Sequence, residues 1–121
     1  MIISLSVAPA RADYAVALAH MHSGDYESAY RELRELSDQG YPVYQNMVAQ
    51  MHLEGKGVEA DPVMAHVWYT LSASQGNEEA IRAKAELKKV LSEDQLLASR
   101  RLAEEYGALY VAPLRPHWKL E

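Results

Sequence analysis

The sequence predicts an all-α fold, a short solenoid of antiparallel helix hairpins with about six helices in all. Three observations predict it. Apolar residues recur at three- and four-residue steps between glycine stops, which is the spacing of one helix face. Helix-starting signals, an Asp cap or an Asp-Pro pair, precede those runs at Asp25 and at Asp61-Pro62. The chain also repeats itself: Leu18-Ala19-x-Met21-His22 returns as Val48-Ala49-x-Met51-His52, a shift of 30, and Asp25, Ala29 and Gln39-Gly40 return as Asp61, Ala65 and Gln75-Gly76, a shift of 36. Repeats of that period mean stacked helical units, and the difference between the two shifts places a longer turn in the second unit.

A chain of 121 residues, 49% of them hydrophobic, suits one domain with a modest core. Twelve basic against seventeen acidic residues give a net charge of -5, with no run of Lys or Arg, so neither nucleic acid nor an acidic membrane is an expected partner. Cysteine is absent, which removes disulfides and thiol chemistry. No stretch approaches the ~18 to 20 apolar residues of a membrane span.

Taken in order, residues 1–12 hold an apolar run from Ile2 to Val7 followed by Ala10-Arg11-Ala12, a small-x-small processing pattern before Asp13. This is read either as a signal-peptide remnant or as a segment that packs on the first helix; no Lys or Arg precedes the run. The repeat domain is expected over 13–110. In its first hairpin, 13–40, one helix presents Tyr14, Ala17, Leu18 and Met21. Asp25 caps the next, which presents Tyr26, Ala29, Tyr30, Leu33 and Leu36 before Gly40. The second hairpin, 41–76, turns at Gly55-Lys56-Gly57, where glycine supplies positive φ. Its second helix starts at Asp61-Pro62, packs Ala65, Trp68, Tyr69, Ser72 and Ala73, and stops at Gly76. In the cap, 77–110, Asn77 starts a helix with Ala80, Ala83, Leu87 and Leu91 inward. Ser92 and Gln95 have capping-box spacing for a last helix with Leu96, Ser99, Leu102, Ala103, Tyr106 and Leu109 inward. The tail, 111–121, has two prolines and no periodicity, with Trp118 as an aromatic candidate for partner contact.

The signature Gly55, Gly57, Asp61, Ala65, Trp68, Tyr69, Ala73 and Gly76, within GKGV and the helix after it, resembles the Sel1-like repeat (SLR), a relative of the tetratricopeptide repeat (TPR). One complete unit, Tyr41 to Gly76, carries the likeness; the chain departs from it at Tyr44, Val48-Ala49 and His52, where the family usually has alanine, Leu-Gly and tyrosine. The resemblance implies a right-handed α-α superhelix and a non-enzymatic adaptor or scaffold that binds protein. The LSEDQ hairpin is similar to the C-terminal cap of small SLR proteins, and small bacterial envelope proteins of this family often begin with a similar Asp-aromatic-Ala stretch. Export to the periplasm or envelope is the expectation, with a cytoplasmic location as the other reading.

Candidate chemistry is sparse. His20 and His22 point in different directions on one helix, and neither an HExxH nor a GxSxG motif occurs, so no metal, cofactor or catalytic residue is expected. His22 and His52 hold equivalent repeat positions and are both expected inside, hydrogen-bonded. Binding is expected on the concave face, lined by the first helix of each hairpin. Its stripe is Val43, Asn46, Gln50 and Leu53, with Asp13, Val16, His20 and Ser23 one repeat back and Glu79, Arg82, Glu86 and Lys89 one repeat on. A protein or peptide held there by Asn46 and Gln50, with Arg82 and Lys89 on a carboxylate, is the leading reading. Solvated helix faces are the plain alternative. Cysteine-rich members of the family have been linked to cell-wall ligands, which makes a small envelope enzyme or ligand-binding protein the second reading, and weak self-association through an open solenoid end the third.

Overall fold

The computed structural model describes residues 10–111, with side chains for 14–111. Six helices follow one another: α1 (Ala10–Ser23), α2 (Tyr26–Asp38), α3 (Pro42–Glu54), α4 (Pro62–Ser74), α5 (Glu78–Lys88) and α6 (Glu93–Tyr110). No strand occurs among the described residues. Helix α1 starts at Ala10, ahead of the expected Asp13. The starts of α2, α4, α5 and α6 are set by the caps read from the sequence, and α3 opens at Pro42 without a side-chain cap. Asp25 accepts from the Ser28 N–H at 3.2 Å, Asp61 from the Val63 and Met64 N–H groups at 3.1 Å, and Asn77 from that of Ala80 at 2.9 Å. Ser92 and Gln95 bond reciprocally as a capping box. Each oxygen satisfies a donor that the first helical turn leaves free.

The turn between α3 and α4 shows why two of its residues are glycine. Gly55 ends α3 in the left-handed conformation at φ 71°, its N–H bonding the Met51 carbonyl at 2.8 Å. Gly57, at φ 76°, lies so close to α2 that a Cβ there would stand 2.1 Å from the Tyr26 carbonyl oxygen. The long turn thus folds back onto the preceding repeat, and Lys56 covers the Tyr26 ring with its ammonium 5.4 Å from the centroid.

Each helix packs on its neighbour along the chain as far as α5, and α6 then returns to α4 and reaches α2. The result is an α-helical repeat solenoid with α4 at its centre. Helices α5 and α6 hardly touch one another; both lie on α4. Helix α4 is therefore covered on almost every side, and His66, Val67 and Leu71 are buried along with the expected Ala65, Trp68, Tyr69 and Ser72. A helix apolar around its whole girth belongs inside. The inward stripes of α1, α2 and α5 are buried or half-buried as expected, whereas Leu109 of α6 is 60% exposed.

Trp68 is fully buried beneath α6, 5.6 Å from the Tyr106 ring and stacked on Tyr110 at 5.9 Å. The Arg34 guanidinium of α2 sits among these three rings, 4.9 Å from the Trp68 centroid, and its Nε donates to Asp38 at 2.9 Å. Polar groups inside the solenoid are tied across elements. The fully buried Gln45 donates to the Ser37 carbonyl at 3.1 Å and accepts from Gln75 at 2.8 Å, and Ser72 donates to the Pro42 carbonyl at 2.7 Å. These bonds fix the stacking of α2, α3 and α4 where apolar contact alone would allow sliding.

Candidate partner-binding groove

The stripe on α3 comes from helical spacing alone: Val43, Asn46, Gln50 and Leu53 follow at steps of three or four and share a face. Val43 and Leu53 are 51% and 42% exposed, and Gln50 is exposed between them. Asn46 is not free. It is 7% exposed, and its Nδ2 donates to Glu79 of α5 at 2.9 Å. That bond places the stripes of α3 and α5 side by side, and it takes Asn46 out of reach of a partner's backbone. The sequence could not show this, because the register between α3 and α5 depends on how both lie on α4.

The remaining groove candidates are partly occupied by their own neighbours. His20 turns to Asp25, Nδ1 to carboxylate 3.5 Å, at the α1–α2 turn. Gln50 donates to Glu54 at 3.2 Å, one helical turn along. Glu86 and Lys89 pair with each other at 3.0 Å, and Arg82 is exposed on the same helix. Surface pairs of this kind hold their groups weakly and release them to a better partner at little cost.

Beside Gln50 the face deepens into a pocket of about 240 Å³ between α1, α2 and α3, lined by Met21, Met47, Met51, Leu33 and Tyr26. The sequence reading assigned Met21 and Met51 to the repeat pattern and gave no role to Met47; three methionines around one opening are the signal that was there to use. Unbranched thioether side chains adapt to apolar shapes, so such a pocket accepts varied side chains.

The histidines divide by what covers them. His52 is buried and bonds the Tyr30 hydroxyl at 3.0 Å, the rings edge-on at 5.4 Å. Burial, aided by Arg34 and opposed by Asp61, lowers its pKa. His22 was expected inside by repeat equivalence and is exposed. His52 is covered by α2 of the repeat before it, and among the described residues no helix precedes α1 to cover His22. His66 bonds Ser99 at 2.5 Å, Nδ1 to Oγ. Ser99 is fully buried, so no substrate carbonyl reaches its oxygen, and the pair does not have the geometry of an activated nucleophile. Among the described residues no group of three His, Asp or Glu is placed to hold a metal ion, and no helix is long and apolar enough to cross a membrane.

The signature residues lie in the core and turns: Ala65, Trp68 and Tyr69 are buried, Ala73 is half-buried, Gly55, Gly57 and Gly76 have positive φ, and Asp61 caps α4. They build the unit. Trp118 lies outside the described residues.

No curated protein matches the sequence. The Sel1 repeat family model matches residues 42–77, the stretch holding α3, the long turn and α4. The helical body is similar to the crystal structure of a protective antigen present in uropathogenic Escherichia coli strains displaying an SLR fold, with a TM-score of 0.82 and 22% identity over 93% of this chain. The chain spans 26% of that antigen's length, and the likeness is one of fold. Residues 42–77 thus match the Sel1 repeat, and the helical body around them has the SLR fold.

Proposed function

We propose that the protein is a non-enzymatic adaptor that binds a protein or peptide on the α3-centred face. The observation that carries this reading is the exposed pair Val43 and Leu53 on either side of Gln50, beside the methionine-lined pocket. An apolar side chain of the partner fills the pocket, and Gln50, released from Glu54, pairs with the partner's backbone. Val16, 43% exposed on α1, extends the apolar surface one repeat back, and Arg82 supplies a cation one repeat on. The work is done in the bacterial envelope on this reading, since residues 1–12 carry a processing pattern; cell fractionation tests that part, and a chain found only in the cytosol overturns it.

Photocrosslinking tests the face itself. A photoreactive residue at Gln50 is expected to trap a discrete partner in living cells, and one at exposed Arg101 on α6 to trap none. Equal trapping from both positions contradicts the proposal.

A further inference from the structure

Because α5 and α6 both rest on α4 and hardly meet, the solenoid is split at that end by a cleft of about 320 Å³. Its floor is His66 and Thr70 of α4, one wall carries Lys84 and Lys88 of α5, and the other Arg100 and Glu104 of α6. Three cations against one carboxylate leave two net positive charges there, in a chain whose net charge is -5. Among the described residues the ion pairs are His20–Asp25, Arg31–Glu27, Arg34–Asp38, Lys56–Glu54 and Lys89–Glu86, and none uses the three cations of the cleft.

The floor holds a second, independent observation. His66 is 7% exposed and its Nε2 has no hydrogen-bond partner. A buried ring nitrogen left without a partner costs free energy that packing alone does not repay. A Ser99 hydroxyl that donates to Nδ1 leaves the proton of the neutral imidazole on Nε2. Burial first, then Lys84, Lys88 and Arg100, lower the pKa of this ring. The ring is therefore neutral at neutral pH.

We infer that the α4–α5–α6 cleft binds a dianionic phosphate group, with Lys84, Lys88 and Arg100 around its oxygens above the His66 floor. Its charge matches the surplus of the cleft, and its oxygens match cationic donors on two walls. The volume is at the low end for a ligand pocket, so it suits free phosphate or a small phosphomonoester and not a long chain. Leu96 and Ala103 provide apolar wall for the ester's carbon body. This site is separate from the α3 face and does not rest on the adaptor reading.

The test is an NMR titration of the histidine rings in the full chain with inorganic phosphate, with glycerol phosphate and with sodium chloride at matched ionic strength. Both phosphates are expected to shift the His66 ring saturably and to raise its pKa, and chloride to do neither. Tighter binding of the ester identifies a carried phosphate as the natural source, and equal binding identifies the free ion. Lys88 and Arg100 are exposed, so the K88Q/R100Q variant keeps its fold, and it should bind at least about tenfold more weakly. Glu104→Gln should bind more tightly than the native chain. A His66 ring indifferent to phosphate, a shift that chloride reproduces, or a double variant that binds as the native chain does overturns the inference.

Discussion

His52 and His66 show at residue scale how this fold handles polar groups. Each ring is bonded through one nitrogen, to Tyr30 and to Ser99, and each is held by burial below the ordinary imidazole value of 6.5. The unfolded chain therefore takes up protons near that pH that the folded chain resists. The sign follows: stability is fully present above the ordinary value and is lost as pH falls below it towards the folded values. Urea unfolding should show a lower midpoint at about pH 5.5 than at about pH 7.5. His52→Gln should flatten that dependence, and a native midpoint that does not move with pH contradicts the burial argument. The sequence marked His52 as interior by its place in the repeat, and the same logic failed for His22. Equivalent positions in a solenoid share an environment only where both have a neighbouring repeat.

At the scale of elements, α4 is the keystone and its largest side chain the wedge. Trp68 joins α4 to α6 through Tyr106 and Tyr110 and to α2 through Arg34. Trp68→Ala should cost about 3 to 5 kcal/mol, read from chemical unfolding. Such a loss is a large share of the ~5 to 15 kcal/mol typical of a domain. A cost below about 1 kcal/mol would show that α6 does not depend on this ring. Arg34 acts on the same contact from the other side. Burial disfavours its charge most, and Asp38 and Tyr30 together outweigh that effect and keep it a cation among the rings. Arg34→Ala should destabilise by about 1 to 3 kcal/mol and speed hydrogen exchange in α6 before other helices. Uniform exchange across the six helices would count against a specific Arg34–α6 tie.

The helices themselves were legible because their signals are local: caps at Asp25, Asp61, Asn77 and Ser92, glycine stops, and stripes at helical spacing. What the sequence hid is what depends on stacking. Gln45 reads as an ordinary polar residue near a helix start and is in fact the fully buried link between Ser37 and Gln75. Helix α4 reads as one-faced and is covered all round, because both α5 and α6 lie on it.

For the whole molecule, two repeats and a splayed end divide the surface into a shallow apolar-and-amide face on α3 and a basic cleft behind α4. The α3 face was half legible. Spacing identified the stripe, and exposure kept Val43, Gln50 and Leu53 available while the bond to Glu79 removed Asn46. No sequence pattern gives the register that joins Asn46 to Glu79, since the two lie on helices that meet through a third. The cleft was not legible at all, because Lys84, Lys88 and Arg100 are scattered along the chain and converge only when α5 and α6 part.

The claim that the α3 face binds a protein partner is tested most directly by measuring the affinity of the partner trapped from position 50 for the native chain and for V43D/L53D. Both substituted side chains are exposed, so the variant should unfold at the native midpoint. The account predicts that binding falls by at least about tenfold, the equivalent of about 1.4 kcal/mol. Unchanged affinity in a folded variant would contradict it and move the binding surface off α3.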